Sequence, residues 1–274
     1  MTSLLLFGPG YAGSRIAAAV AEQGGRVVTV RSRADGQSLG IDDRDALAEA
    51  LAHASHVVST VPPVGEVDPV LARYRDRLAG RWVGYLSSTG VYGDAGGAWV
   101  DESAPTDRGR RSARNAADAD WLALGAHVFR LPGIYGPGRS ALDRVAAGQA
   151  HRIDLPDQIF SRIHVDDIVS GVIAALAGPA GAYNLADDLP ASQNDVVEAA
   201  CALLGVAPPP ILSIEAAGLS PQARSFYAEN RRVANGKAKR LLGWKPAYPD
   251  YRAGLRALSA MTSPAIVSTA ATPA

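Results

Sequence analysis

Five short apolar runs, SLLLFG, RVVTVR, HVVSTV, WVGYLSS and HVFRLPG, alternate with alanine-rich stretches through the first 135 residues. The intervening stretches are AGSRIAAAVAEQG, RDALAEALAHA, VLARYRDRLAG and SARNAADADWLAL. A run that is apolar along its length has no face to offer water, which fits a strand covered on both sides. Strand–helix alternation then implies parallel strands joined by right-handed crossovers. The fold class expected is α/β, a doubly wound parallel sheet.

A chain of 274 residues can bury a large core, as one domain or two closely joined ones. Charge is balanced, with 27 basic and 27 acidic residues, so electrostatics argue for neither nucleic acid nor an anionic membrane. The single cysteine, Cys201, cannot form an internal disulfide, which fits a reducing compartment. No apolar run approaches the roughly 20 residues that span a bilayer, and SLLLF is too short for a signal-peptide core. A cytoplasmic protein is expected, with a homodimer left open. No His, Cys, Asp and Glu spacing suits a metal, and none is expected.

The segment LLLFGPGYAGSRIAAAV places Gly8, Gly10 and Gly13 as G-x-G-x-x-G between the first strand and the first helix. Those glycines suit a tight turn, close backbone approach to a pyrophosphate, and close helix–strand packing. Tyr11 and Ala12 lie inside the same loop, and the helix that follows offers free N–H groups to phosphate. NAD sites place an acid about 20 residues past the glycines. Here that point carries Arg31, Ser32 and Arg33 and no acid, a set that suits the 2′-phosphate of NADP, with NAD the alternative. The same arginines are also readable as solvated loop charges. Thr60, Val61 and Pro62 close the VVSTVPP strand at the sheet edge where a dinucleotide lies.

Beyond Pro137 the pattern turns irregular. IHVDDIVSGVIAALAG carries Ile168, Val172, Ile173 and Leu176 at helical spacing. NDVVEAACALLG reads as another helix, and KAKRLLGWKPAYPDYRAGLRALSA as a helix, a turn and a last helix. The small, polar tail from residue 261 is expected to be disordered.

LSSTGVYGDAGGAWVDESAP, FRLPGIYGPGRS, FSRIHVDDIVSGVIAAL and AYNLADDLPASQNDVVEAA together resemble the extended short-chain dehydrogenase/reductases, the NAD-dependent epimerase/dehydratase family. The resemblance covers about residues 3–258, with the motifs in the family's order. It implies a Rossmann domain over 1–135 plus 161–183, and a small substrate-binding region over 136–160 plus 184–260. It also implies that Ser88, four residues before Tyr92, orients the substrate oxygen. Ser87, Leu131, Pro132 and Gly133 would contact the cofactor, and His164 and Asp166 would join the two regions.

The family's acid/base is the tyrosine of Y-x-x-x-K, whose phenol is made useful near neutral pH by the adjacent lysine. No Y-x-x-x-K occurs in this chain, whose lysines are Lys237, Lys239 and Lys245. The helix reads RGRRSARNAADADWL instead. Aligned on Asp118, it puts Arg114 at the lysine and Arg110 at the tyrosine; counted without gaps from Tyr92, it puts Ala117 and Ala113 there. A guanidinium can hold a ribose or an anion but does not exchange protons near neutral pH. Arg110 and Arg114, sharing a helix face with Arg111 beside them, are read as an anion clamp or as a solvated basic face. Candidate stand-ins for the phenol are Tyr92, Tyr135 and His164, each also readable as packing; Asp94 and Glu102 are candidate pocket carboxylates.

Two functions follow. One is an NADP-dependent oxidoreductase or epimerase on a small hydroxyl or carbonyl compound, with a non-standard site. The other is a non-catalytic NADP(H)-binding sensor or partner-binding module. Its partner surface would be SPQARSFYAENRRVANGKAKRLLG, carrying Arg231, Arg232, Lys237, Lys239 and Arg240.

Overall fold

The computed structural model describes residues 2–106, 109 and 112–262. Its center is a parallel sheet of seven strands: β1 (Ser3–Phe7), β2 (Arg26–Arg31), β3 (Leu39–Gly40), β4 (His56–Ser59), β5 (Trp82–Ser88), β6 (His127–Leu131) and β7 (Gly181–Asn184). Their spatial order is β7-β6-β5-β4-β1-β2-β3, and every ladder between them is parallel. The five apolar runs are five of these strands. β7 and the two-residue β3 extend the sheet beyond them at either edge.

The helices α1 (Gly13–Glu22), α2 (Arg44–His53), α3 (Leu71–Leu78), α4 (Ser112–Ala123) and α5 (Val165–Ala175) carry the sheet's covering layers. One core joins Leu4, Leu6, Ile16 and Val20 to Ile168, Val172 and Tyr183, packing α1 and α5 on one face. The other joins Leu5, Phe7 and Val57 to Leu47, Leu78 and Trp121, packing α2, α3 and α4 on the opposite face. Alternate residues of β1 thus enter different cores, as the two-residue period of a strand requires. β2 differs from the all-apolar expectation: Val28 is exposed, because only the short β3 lies outside it.

A third cluster lies apart from the sheet. It packs Leu142, Val196, Ala200, Tyr251, Leu255 and Leu258, from helices at residues 141–146, 193–204 and 251–262, around Tyr135. Cys201 is buried beside it on the middle helix. Two short parallel ladders bind the later chain to the sheet-forming part, Gly133–Tyr135 with Arg162–His164 and Trp99–Val100 with Arg232–Val233, and a third, Arg152–Ile153 with Ile211–Leu212, lies within the later chain. Ile163 and His164 therefore belong to a strand, and α5 starts only at Val165. The last helix runs through Thr262, so residues 261 and 262 are not part of a tail; the tail from residue 263 lies outside the described residues. No helix among the described residues is long and apolar enough to cross a membrane.

Gly254 shows how tightly the third cluster is built. A Cβ at Gly254 would lie 2.1 Å from the Tyr135 hydroxyl, so the last helix seats on that ring only because residue 254 has no side chain. Gly→Ala within a helix ordinarily stabilizes by about 0.5–1 kcal/mol. Here Gly254→Ala is expected to destabilize by about 1–3 kcal/mol through overpacking, and Tyr135→Phe in the same chain to recover part of the loss. Urea unfolding of the two variants checks the sign; a stabilizing Gly254→Ala would refute the contact.

Candidate functional site

The strand order reverses at β1, whose neighbors are β2 on one side and β4 on the other. Crevices form at such a switch point, beyond the carboxyl ends of the strands. The glycine loop leaves β1 there. Gly8 has φ +82°, and a Cβ on it would lie 2.8 Å from Thr60 Oγ1 at the end of β4. Thr60 in turn donates its hydroxyl hydrogen to the Gly8 carbonyl, locking loop to strand. A Cβ at Gly13 would come within 2.6 Å of the Gly8 carbonyl oxygen. Above Gly10, by contrast, a Cβ would meet only the Gly8 carbonyl at 3.9 Å, so the space over the loop is open. α1 begins there with no side-chain cap and no acid in its first turn, so although Ser14 donates its amide to the Gly10 carbonyl, no carboxylate competes with an anionic ligand at this end.

That space is one end of a cavity of about 1500 Å³. Gly10, Tyr11, Ala12 and Gly13 line it, with Thr60 and Pro62 just past β4, Ser87 and Ser88 from β5, and Leu131 at the end of β6 followed by Pro132 and Gly133. Arg114, from α4, lines it as well. Gly8 and Val61 stand behind this wall: Val61 packs with the core under α2 and α3 and touches the space a Gly8 side chain would need. Tyr11 donates to the Pro137 carbonyl at 3.0 Å, with the Arg15 guanidinium 4.3 Å and the Arg139 guanidinium 5.7 Å from its ring center.

Arg31, Ser32 and Arg33 are exposed at the end of β2, outside the cavity wall. Arg31 reaches back to the glycine loop, donating to the Pro9 carbonyl at 3.4 Å. The expectation that no acid stands here needs correction: Asp35 folds back onto Arg31 at 3.0 Å. A turn held by the Gln37 and Ser38 amides on the Asp35 carboxylate brings it there. An acid four residues past the strand end gives no sign of this fold-back in sequence.

Tyr92 does not line the cavity. Its ring is 3% exposed, and its hydroxyl donates to Asn184 Oδ1 at 2.8 Å while accepting from Arg130 Nη1 at 3.1 Å. Burial pushes that hydroxyl up to about 12, against the pull of Arg130. Tyr92, expected among the catalytic residues, thus has its hydroxyl hydrogen-bonded inside the protein. Tyr135 borders the cavity, but its hydroxyl is buried against Gly254, and burial holds its pKa far above the ordinary phenol value. His164 is fully buried at the start of α5, its Nδ1 facing the Asp166 amide at 3.3 Å, and burial lowers its pKa. Asp94 and Glu102 leave the pocket too; they accept from the backbone amides of Asn230 and Asn184, respectively. Arg110 and Arg111 lie outside the described residues.

Ser88 and Arg114 remain of the expected chemistry. Ser88 Oγ accepts the Gly90 amide at 3.1 Å, which leaves its own O–H to donate elsewhere. Arg114 Nη1 donates to the Tyr85 hydroxyl at 2.9 Å, so one arm of the guanidinium is anchored in the core. Burial pushes the Tyr85 hydroxyl up to about 12, and Arg114 opposes the rise. Ser87 lines the cavity with its backbone side only in play, since its hydroxyl donates to Asp118 Oδ2 at 2.6 Å. Asp118 also holds Arg130 through Oδ1 at 2.7 Å and Oδ2 at 3.1 Å. Sequence reasoning missed this pair, although an arginine inside the apolar run HVFRLPG signals one, since a buried charge requires a partner.

The basic stretch near residues 231–240 is tied inward. Arg231 pairs with Glu229 at 2.7 Å, Arg232 donates to the Gly97 carbonyl, Lys239 pairs with Asp188 at 2.5 Å, and Lys237 lies 5.1 Å from the Tyr183 ring center. Four of the five cations named in that stretch thus have partners within the protein, and Arg240 is exposed.

No protein-family model matches the chain. A curated protein from Streptomyces sp, 3-diazoavenalumate denitrifying reductase, is 34% identical over 157 residues, 52% of this chain and 49% of that protein. The chain thus spans about half the length of that relative. Among solved structures, a functionally unknown conserved protein from Silicibacter pomeroyi DSS is 40% identical, with a TM-score of 0.84 over 95% of this chain and 99% of the other. A human epimerase family protein solved with NADPH is 17% identical, with a TM-score of 0.74 over 94% of this chain and 99% of the other.

Behind the far wall of the cavity, Asp187 is 1% exposed, and its carboxyl oxygens make no hydrogen bond of good geometry. Burial raises it to about 8, with Arg162 and the Leu189 amide opposing. An unfolded aspartate titrates near ~3.9. Between those values the folded chain holds a proton that the unfolded chain has released, so stability falls as pH rises from about 4 to 8. Asp187→Asn is expected to flatten that fall and to be more stable at pH 8 by about 1–3 kcal/mol. Urea unfolding across that range checks it; an unchanged slope would remove Asp187 as the cause.

Proposed function

We propose that this chain, which shares the fold of epimerase/dehydratase-type short-chain dehydrogenases and lacks Y-x-x-x-K, is an NADP(H)-dependent oxidoreductase acting on a small molecule. The observation that carries this reading is the single cavity running from the glycine loop past Ser88 and Arg114 into the later chain.

The residues present fit a dinucleotide. The pyrophosphate would lie over Gly10, against the uncapped start of α1, with Tyr11 and Arg139 beside it. The adenosine end would reach toward Arg31, where Ser32 and Arg33, together with Arg31 through the N–H groups not given to Asp35, would receive a 2′-phosphate. The nicotinamide end would lie toward Ser88, Leu131, Pro132 and Gly133. When bound, the cofactor supplies or accepts the hydride.

The chain's own part is to hold and polarize. Ser88, with its oxygen already engaged by Gly90, would donate its hydrogen to a substrate oxygen. Arg114, anchored by Tyr85, would offer its remaining N–H groups to negative charge developing there. Neither exchanges a proton readily near neutral pH, so the proton comes from solvent or from the substrate itself. The loss of a dedicated acid/base costs roughly 10²–10⁴-fold in rate, which a slow reductase tolerates. The similarity to a Streptomyces reductase favors reduction over epimerization. The locked Tyr92 favors the second reading, a non-catalytic NADP(H)-binding sensor.

Fluorescence titration with NADPH and NADH tests the premise common to both, and binding of neither would sink them together. NADPH is expected to bind more tightly, and Arg31→Asp to erase that preference; a preference that survives would overturn the NADP assignment. NADPH oxidation with a panel of carbonyl compounds separates enzyme from sensor. Ser88→Ala is expected to slow turnover about 100-fold, as loss of one preorganized donor does.

A further inference from the structure

Away from the glycine loop the cavity changes character. Phe160 and Tyr227 meet edge to face, with ring centers 5.4 Å apart and planes at 90°. Phe226, 51% exposed, continues that wall, with Leu219, Val196 and Leu255 also on the lining. The cavity's end is therefore a slot walled in part by aromatic edges and faces, which suit a planar group.

The cations around the slot differ in what they are free to do. Arg162 is 7% exposed and spends its Nη groups on the carbonyls of Phe160, Ala191 and Ser192 and on Gln193 Oε1. Arg231 is held by Glu229 and the Gly93 carbonyl. Arg139 belongs to the glycine end, beside Tyr11. Arg144 is different: it lines the slot, is exposed, and has no carboxylate partner among the described residues. It stands near enough to Tyr227 for its charge to oppose the rise that burial gives that hydroxyl, as does Arg162.

One uncommitted guanidinium matches one carboxylate, which it can hold with two parallel hydrogen bonds. A diphosphate carries about two charges and would be undercompensated beside a single free arginine. We propose that the far end of the cavity receives a planar aromatic monocarboxylic acid, its ring against Phe160 and Tyr227 and its carboxylate on Arg144. The proposal rests on the oxidoreductase reading and names the substrate class of that same cavity.

Calorimetric titration of 2-naphthoate, of the neutral 2-naphthamide and of UDP tests it, each with and without saturating NADPH. Naphthoate is expected to bind at least tenfold more tightly than naphthamide. Arg144→Gln should weaken naphthoate about 10–100-fold, the worth of a charge-assisted hydrogen bond, while leaving naphthamide and NADPH binding unchanged. Equal binding of naphthoate and naphthamide by the unaltered protein would overturn the proposal. So would UDP binding more tightly than naphthoate and losing affinity in Arg144→Gln, which would mark a nucleotide site. Failure of NADPH to bind would overturn the cofactor reading alone, because the Arg144-dependent preference is also read without NADPH.

Discussion

The buried pair of Arg130 and Asp118 organizes the carboxyl edge of the sheet. Both side chains are nearly inaccessible, at 3% and 1%, and two hydrogen bonds join them. Removing one partner of such a pair leaves an uncompensated buried charge and typically costs about 3–5 kcal/mol. Its reach exceeds the pair. Asp118 takes the Ser87 hydroxyl from β5, and Arg130 gives a hydrogen bond to Tyr92, which passes one to Asn184 at the end of β7. Asn184 donates from its side chain to the Ala234 carbonyl in the later chain and from its backbone amide to the Glu102 carboxylate. One connected network thus joins α4, β5, β6 and β7 to the segment that closes over them. Because each member satisfies the next, little in it is free to reorganize.

That network limits the available chemistry. Tyr92, a candidate stand-in for the missing phenol, and Ser87, a candidate cofactor contact, both have their hydroxyls engaged by the frame. Ser88 and Arg114, their immediate neighbors in space along the cavity, each keep hydrogen-bonding capacity directed away from the frame. In the proposed reaction they would act by polarization, and the absence of a phenol would be met by a substrate or solvent proton. The arrangement is electrostatic in character rather than acid–base.

How much was legible in sequence varied along the chain for physical reasons. β1, β2, β4, β5 and β6 could be read because burial on two faces demands continuous apolar runs. The glycine loop could be read because Gly8 and Gly13 answer to local backbone geometry, which only glycine satisfies there. Asp35 escaped notice because its approach to Arg31 depends on a turn rather than on periodicity. Phe160, Tyr227 and Arg144 were invisible as a group, since they come from three separate segments brought together by tertiary contacts such as Gln158 to the Glu229 carbonyl and Ile159 to Asn230.

By itself, then, the sequence determined the parallel sheet, its glycine-rich crevice and the lack of Y-x-x-x-K, all of which follow from local pattern and residue type. The tertiary structure alone decided which hydroxyls are free. Ser87, Ser88 and Tyr92 look alike as a string, and only the positions of Asp118, Arg130 and Asn184 show that two are bound inward and one is not. It also decided which arginines are available, because availability depends on partners distant in sequence: Arg162 and Arg231 are held by carbonyls and a carboxylate, and Arg144 faces the cavity without such a partner among the described residues.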